Sequence, residues 1–228
     1  NRAPHYLDQR PSLDSLVKRG FVVVAFDQIG FGSRAQEATR FYERYPQWSL
    51  MGKMVSDTRA VVDAVSVLEE VDARQIFLFG YALGAKVGLL TAALDERVRG
   101  LVAVSGVDAL RLDRPHTEGL RHYSHLHGLL PKLGFFVGQE SRAPFDYDEV
   151  LALAAPKRIL VIAPELDRFA PVDDVRQEVA AARAVYQALG HDGALELRTP
   201  RDFNRFPRQL QEEAFDYLAR SAAGGSSP

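Results

Sequence analysis

Cysteine is absent from the 228-residue sequence, and tryptophan occurs once. The absence of cysteine excludes disulfides, thiol catalysis and thiolate metal sites, and it leaves the redox compartment open. No apolar run approaches the length that spans a bilayer, so no membrane partner is expected. The net charge is −2, without a basic run or a helix-turn-helix pattern, which argues against a nucleic-acid partner. No GxGxxG or P-loop sequence occurs, so no cofactor is implied.

Hydrophobic residues make up 46% of the sequence and charged residues 25%. This composition is typical of one soluble globular domain that buries a substantial core. We predict a single domain over residues 1–220 and a flexible tail over residues 221–228, which are rich in glycine and serine. The first residue is Asn1 and no signal peptide precedes it, so we expect a processed or trimmed chain, either cytoplasmic or secreted with its targeting segment removed.

The other segments are organised around residues 77–90, in which an apolar run, a glycine-flanked turn and an amphipathic run follow one another. This order predicts a strand, a tight turn and a helix. The turn matches the nucleophile-elbow pattern GxSxG from Gly80 to Gly84, in which the outer glycines let strand and helix approach closely. The central residue of such a turn lies on strained backbone with its side chain above the sheet. Here that residue is Ala82, so the attacking hydroxyl is missing.

These residues resemble the elbow of the α/β-hydrolase superfamily. Two more segments are similar to its members: residues 21–32 resemble the strand and Gly-rich turn before the elbow, and residues 159–168 resemble the strand that delivers the triad acid. The resemblance is closest to the dienelactone-hydrolase and acetyl-xylan-esterase-like branch and covers residues 12–219. It implies a carboxylic-ester hydrolase that acts on an acetyl ester or a similar small ester, or a carbohydrate ligand.

Strand and helix patterns alternate along most of the chain, which predicts an α/β fold with a doubly wound, mostly parallel sheet. The alternation stops over residues 105–146, and we expect a lid-like insertion there, because excursions at the carboxyl ends of strands surround the site. The predicted strands are residues 21–26, 75–79, 98–104, 159–163 and 194–198, and the predicted helices are residues 11–20, 53–70, 147–154, 175–189 and 207–220, with one more after the elbow.

A hydrolase of the resembling branch would have further strands before the first helix, and they are missing here. The loop after one of them usually supplies the second oxyanion N–H group. Either the sequence belongs to a larger parent chain or the domain is reduced. An exposed apolar sheet edge near residues 1–26 would favour a larger chain or an oligomer, because an unpaired edge needs covering.

A serine hydrolase needs a nucleophile, a histidine base, an acid and backbone oxyanion donors. The resemblance places Ala82 at the nucleophile position, Asp167 at the acid position and the N–H group of Leu83 in the oxyanion hole. The structural alternative for Asp167 is a loop-capping aspartate. The base should lie in residues 199–206, which contain no histidine, and His191 precedes the last predicted strand, at the opposite edge of the sheet.

The insertion holds four of the six histidines. His125 and His127, together with His122, lie on a segment that we expect to hang over the elbow, so one of them is a candidate base. The alternatives are solvated or hydrogen-bonded lid histidines, or a zinc site that lacks a suitably spaced fourth ligand, so we predict no metal. Ser105 is the best substitute hydroxyl, or else a strand-end cap. The four insertion histidines are His116, His122, His125 and His127.

Charged and polar residues follow several predicted strands, where ligands of open α/β sheets gather. Bidentate contacts there could hold a carboxylate or a sugar acid, and the alternative is a surface ion-pair cluster. The candidate substrate-binding residues are Asp27, Tyr81, Arg168, Asp202, Asn204 and Arg205.

Three interpretations remain open. The first is an ester hydrolase seen as a nucleophile-to-alanine variant or using an unusual base. The second is a natural pseudo-hydrolase, which the combined absence of serine and histidine favours, and which binds a small molecule or carbohydrate without turnover. The third is a fragment or subunit of a larger hydrolase-like protein.

Overall fold

Four parallel strands form one sheet in the order β1-β2-β3-β4. The computed structural model describes residues 13–112 and 119–224. The strands are β1 (Ile76–Tyr81), β2 (Val98–Val104), β3 (Arg158–Ile162) and β4 (Leu195–Arg198). The helices are α1 (Leu13–Val17), α2 (Phe41–Arg44), α3 (Leu50–Val65), α4 (Leu83–Leu94), α5 (Gly119–Arg121), α6 (Tyr147–Leu153), α7 (Val172–Ala188) and α8 (Arg208–Ala223).

Helices cover both faces of the sheet, as the alternating pattern predicts. Along β2, Leu101 and Ala103 face one core and Val102 and Val104 face the other, because side chains alternate along a strand. The first core is completed by α3, α4, α6 and α7, and the second by α1 and α8. All residues of β2 except Arg99 are buried, which explains its nearly continuous apolar sequence.

Several element boundaries differ from the sequence-based ones. The helix predicted over residues 53–70 is α3, which begins after Ser49, whose hydroxyl oxygen accepts a hydrogen bond from the Gly52 N–H at 2.9 Å. This cap explains the earlier start. At the other end of the chain α8 continues to Ala223, so residues 221–223 of the predicted tail are helical, and residues 225–228 lie outside the described part.

The strand predicted over residues 21–26 is wrong. This segment is not part of the sheet, and Val22, Val24 and Phe26 are exposed. The prediction rested on the β-branched and aromatic residues of this segment. Such residues are favourable in a strand that packs in a sheet, but they do not show which strand would pair with it.

Short helical segments make up much of the described part of residues 105–146: α5, a π-helical turn over His122–Leu126, and 3-10 turns over Pro131–Phe136 and Glu140–Arg142. Asp146 anchors the far end of this region, since its carboxylate accepts from the N–H groups of Leu110 at 2.8 Å and Arg111 at 2.7 Å. The N–H group of Met51 donates to the Leu129 carbonyl oxygen at 3.0 Å. A lid function for the region stays a prediction, and His116 lies outside the described residues.

Across residues 13–112 and 119–224, no helix combines the length and the apolar character that a membrane crossing requires.

Candidate active site

The turn between β1 and α4 retains the backbone of a nucleophile elbow. Ala82 has φ 50° and ψ −113°, a conformation that residues with a Cβ rarely adopt. A Cβ at Gly80 would overlap the backbone of Gly84, so the first glycine is required for the close approach of strand and helix. The second is not required in this way, because a Cβ at Gly84 would meet nothing within 4 Å among the described residues. Our expectation that both glycines serve the approach therefore holds for Gly80 alone.

Ala82 stands at the amino-terminal end of α4, a 12-residue helix. Its N–H group donates to the Val104 carbonyl oxygen at 2.8 Å, and its own carbonyl oxygen accepts from the N–H groups of Ala85 at 3.0 Å and Lys86 at 3.2 Å. The N–H of Leu83 belongs to the first helical turn, where amide groups carry the positive end of the helix dipole. This position is suited to an oxyanion, and the oxyanion role of Leu83 stays a prediction.

Ser105 follows β2 beside the elbow, because Tyr81 and Val104 are paired in register. Ser105 also has a φ of 50°, and it is buried, with 8% of its surface exposed. The hydroxyl oxygen has no hydrogen-bond partner in the described part of the chain. Among the described residues, therefore, no base is hydrogen-bonded to Ser105 so as to activate it as a substitute nucleophile.

Asp167 lies in the loop after β3 and is buried. Its carboxylate accepts from the N–H of Phe169 at 3.0 Å. Burial raises the pKa of Asp167, and the negative charge of Asp108 raises it further, while the Phe169 N–H and the Lys86 ammonium lower it. Asp108 and Lys86 therefore lie within electrostatic reach of the candidate acid.

Sequence reasoning missed a polar cluster around Lys86. The Lys86 ammonium pairs with the Asp108 carboxylate, and both side chains are only 17% exposed. The Tyr123 hydroxyl donates to Asp108 at 2.9 Å and lies 2.7 Å from the Tyr147 hydroxyl. Burial is the main reason that the pKa of Tyr123 is raised well above its usual value. The available signal was the spacing, because Lys86 lies one helical turn beyond Ala82 on the same helix.

The described insertion histidines divide into two groups. His122 and His127 have their ring centroids 5.7 Å apart, and His122 lies 5.8 Å from the Phe169 ring, close to the loop of Asp167. Burial lowers the pKa of His127, and the positive charges of His122 and Lys86 lower it further. His125 and His127 are both exposed, and the Nδ1 of His125 lies 2.7 Å from the hydroxyl oxygen of Ser124. Of the two candidate bases, His127 is therefore the one near the Lys86 cluster.

Comparison with known proteins gives the family. The family described as "Glucuronyl esterase, fungi" matches residues 9–190. The chain belongs to this glucuronyl esterase family. The Bacillus subtilis (strain 168) protein "Putative hydrolase YtaP" is 29% identical over 192 residues, which are 81% of this chain and 60% of that protein. The hydrolase and esterase-like character that the sequence indicates is thereby confirmed at the level of the family.

Solved structures of glucuronoyl esterases share the fold of this family member. The enzyme from Solibacter usitatus has a TM-score of 0.66 at 19% identity, over 77% of this chain and 49% of that one. The catalytic domain Cip2_GE from Hypocrea jecorina has a TM-score of 0.67 at 20% identity, over 91% and 65%. The predicted α/β-hydrolase fold is confirmed. The chain spans about half of the Solibacter enzyme and 60% of YtaP.

Two of the predicted substrate-binding residues, Tyr81 and Asn204, form a hydrogen bond with each other. The Tyr81 hydroxyl donates to Asn204 Oδ1 at 2.7 Å, and the Tyr81 ring stacks on Phe206 at 6.3 Å between centroids. Both rings belong to the core that α1 and α8 cover. Asn204 thus ties the loop after β4 to the elbow, and Tyr81 points into that core.

The remaining predicted residues contact partners in their own loops. Arg205 pairs with Asp202 at 2.6 Å, and the Leu166 N–H donates to the Asp202 carbonyl oxygen at 3.0 Å, which joins the loops after β3 and β4. The exposed Arg168 lies over the Phe169 ring at 4.5 Å.

Asp27 is also exposed, and its carboxylate accepts from the Ser33 N–H at 2.8 Å and the Ser33 hydroxyl at 2.9 Å. These bonds lower the pKa of Asp27 and close the turn over residues 27–33. A ligand contact by Asp27 would have to compete with this turn. Within the two described ranges, no three His, Asp or Glu side chains are placed to hold a metal ion.

Proposed function

We propose that this chain binds an ester of a carbohydrate acid, of the glucuronoyl type, at the carboxyl edge of its sheet without serine-dependent turnover. The observation that carries the proposal is the backbone of Ala82, which holds the strained elbow conformation but presents only a methyl group. The ester carbonyl oxygen would lie at the Leu83 N–H, since helix N-termini favour developing negative charge. The glucuronyl esterase family and the names of the structural neighbours support the ligand class.

Polar groups beside the elbow are suited to a sugar ring. The Lys86 ammonium and the Asp108 carboxylate are a donor and an acceptor that remain partly exposed. Tyr123 holds both groups in place: its hydroxyl donates to the Asp108 carboxylate, and its ring centroid lies 5.0 Å from the Lys86 ammonium. A preorganised donor and acceptor pair selects hydroxyl-bearing ligands, because ligand hydroxyls can replace water on both groups.

A second candidate function is ester hydrolysis with an unusual base. The observation that favours it is the place of His127: its ring lies 5.7 Å from that of His122, which lies 5.8 Å from the Phe169 ring in the loop of Asp167. The lowered pKa of His127 favours the neutral form of the imidazole, which is the form that accepts a proton. In that case the triad lacks only the nucleophile. A serine at position 82 would then be sufficient for acyl transfer, with Asp167 orienting the base.

One comparison tests both functions. Binding of methyl glucuronate esters is measured by calorimetry on the unchanged chain and on Ala82→Ser, and turnover is measured with the same esters and with a fluorophosphonate label. We expect saturable binding by both proteins and no turnover by the unchanged chain. If the fluorophosphonate labels Ala82→Ser but not the double variant with His127→Gln, His127 is the base. The matched control adds Ser105→Ala to Ala82→Ser and should leave the labelling unchanged. Absence of binding to both folded proteins, or turnover by the unchanged chain, would contradict the first proposal.

A further inference from the structure

An exposed aromatic turn, residues 45–48, connects α2 to the start of α3. The Trp48 N–H donates to the Tyr45 carbonyl oxygen at 3.1 Å, and each of these two aromatic residues is 48% exposed. The Tyr45 ring packs against the buried Phe41 ring at 5.4 Å between centroids. Trp48 has no ring contact within the described part of the chain, so its indole presents a free aromatic surface.

Hydrogen bonds hold the aromatic turn in place on both sides. Before the turn, the Tyr45 N–H donates to the Phe41 carbonyl oxygen at 2.8 Å. After it, the Leu50 N–H donates to the Tyr42 hydroxyl at 3.0 Å, and that hydroxyl donates to the Gly128 carbonyl oxygen of the insertion. The turn is therefore preorganised, since a ligand that binds there does not have to order the backbone first.

Arg44 places a positive charge beside the aromatic turn. Its Nη2 donates to the Thr39 carbonyl oxygen at 3.1 Å and to the Glu37 carbonyl oxygen, and its guanidinium lies 5.5 Å from the Tyr45 ring centroid. Among the residues that the structure describes, Arg44 pairs with no carboxylate, and its Nε and Nη1 donate to no acceptor. The guanidinium is thus held by backbone carbonyls and keeps donors for a charge-assisted hydrogen bond to an anionic ligand.

The ring and the charge together distinguish between ligand classes. A simple anion would use Arg44 but not Trp48, and a neutral sugar would use Trp48 but not Arg44. A uronic acid uses both, because its carboxylate is attached directly to a pyranose ring whose C–H groups are attracted by the negative face of an aromatic ring. A half-exposed indole also suits a ligand whose hydroxyl groups stay in water, whereas a wholly apolar ring gains most in an enclosed pocket.

We propose that Trp48 and Arg44 form a second binding site, which takes a free uronic acid residue of a carbohydrate. The pyranose ring stacks on the indole, and the carboxylate pairs with the guanidinium. α3 begins directly after the aromatic turn, packs beside α4 and precedes β1, so its first turn lies at the carboxyl edge of the sheet, the same end as Ala82. The site requires neither an ester nor turnover at Ala82, and it therefore goes beyond the proposed function.

The chain contains one tryptophan, so the fluorescence of Trp48 reports on this site directly. The probe is methyl glucuronoside as the free acid, and the matched neutral probe is methyl glucoside, in which a hydroxymethyl group replaces the carboxylate. Binding is followed at neutral pH by fluorescence and by saturation-transfer NMR. We expect saturable binding of the acid with a Kd of about 1–10 mM, and binding of the glucoside that is weaker by about 10-fold or more.

Variants separate the charge from the ring. Arg44→Gln should weaken binding of the acid by about 10-fold and leave binding of the glucoside unchanged. Arg40→Gln is the matched control, because the Arg40 side chain is 75% exposed beside the same short helix but pairs with Glu43 at 3.7 Å, and the affinity should not change. Trp48→Ala should abolish binding as measured by NMR, and Trp48→Phe should retain part of it. Circular dichroism establishes that each variant is folded.

Other outcomes would overturn the proposal. Equal affinity for the acid and the glucoside would exclude a role for Arg44, and equal losses in Arg40→Gln and Arg44→Gln would show that only the overall charge matters. Binding that Lys86→Met abolishes and Trp48→Ala leaves intact would place the acid in the candidate active site instead. Absence of binding to the folded protein would overturn the second site alone, since ester binding at Ala82 has its own test.

Discussion

Ala82 and Ser105 stand directly after the paired residues Tyr81 and Val104, and each has a φ of 50°. Two neighbouring strand ends therefore hold non-glycine residues in left-handed backbone at the same edge of the sheet. Such conformations cost about 1–3 kcal/mol each and persist where the surrounding structure fixes them. The strained residues lie at the same edge of the sheet as Leu83, Lys86 and Asp108. The strained residue at the nucleophile position, Ala82, has no hydroxyl that could react.

Replacing Ala82 by glycine should stabilise the protein. Glycine adopts φ 50° and ψ −113° without a Cβ clash, so we expect a net gain of about 1 kcal/mol after the larger entropy of the unfolded chain is counted. Urea unfolding measures it. Arg40→Gly is the matched control, because Arg40 has ordinary left-handed angles of φ 52° and ψ 33°, and its gain should be smaller. A loss of stability in Ala82→Gly would show that the elbow backbone is unstrained.

The two glycines of the elbow should respond in opposite ways to alanine. Gly80→Ala places a Cβ against the backbone of Gly84, and we expect destabilisation of about 1–3 kcal/mol. Gly84→Ala places a Cβ in open space on α4, and we expect a gain of up to about 1 kcal/mol from helix propensity. Thermal unfolding of both variants decides the matter. Equal losses would contradict the assignment of the close approach to Gly80.

Stability should fall with rising pH through Glu178. Burial, with the charge of Asp146, raises the pKa of this carboxyl group in the folded protein to about 8, above its usual value of 4.5. The folded state binds the proton more tightly, so the contribution is fully present below about pH 4.5 and is lost as the pH rises towards 8. Glu178→Gln should flatten the unfolding free energy between those limits, by at most about 1.4 kcal/mol per pH unit.

Chemical denaturation at a series of pH values measures this slope. Asp173→Asn, on the first turn of the same helix with a side chain 81% exposed, is the control and should leave the slope unchanged. A slope that is equal in the unchanged protein and in Glu178→Gln would contradict the raised pKa.

The Lys86 and Asp108 pair should show strong coupling. Lys86→Met or Asp108→Asn alone leaves one partly buried polar partner of the pair unmatched, and we expect a loss of about 1–3 kcal/mol for each. The double variant should lose less than the sum, because both changes remove the same interaction. Tyr123→Phe, which removes a hydroxyl bonded to Asp108 and Tyr147, should add a loss of about 1–2 kcal/mol. Strict additivity of the first two changes would show that the ion pair does not contribute.

Local patterns were sufficient for the parts of the fold whose neighbours are close in the chain. β2 occupies residues 98–104 as its apolar run predicts, and the turn at Ala82 lies between a strand and a helix as glycine spacing predicts. The parallel order then places Ala82, Ser105 and Asp167 after three adjacent strands, because carboxyl ends of parallel strands share one edge. The candidate acid is therefore close to the Lys86 cluster in the structure.

The features that depend on distant partners could not be predicted. Residues 21–26 have the composition of a buried strand, but strand formation requires a neighbour that composition does not name. The pairing of Lys86 with Asp108 and Tyr123 joins residues from α4, the loop after β2 and the insertion, whose short irregular helices carry no periodic signal. Asp27, predicted as a ligand contact, closes its own turn through Ser33.

The elbow backbone has a consequence for the gene that encodes it. The close approach of Gly80 to the Gly84 backbone does not involve the side chain at position 82, so this feature of the turn does not depend on whether alanine or serine stands there. Alanine and serine codons of the type GCN and TCN differ by one base. A single point mutation therefore separates this turn from one that presents a hydroxyl at the elbow.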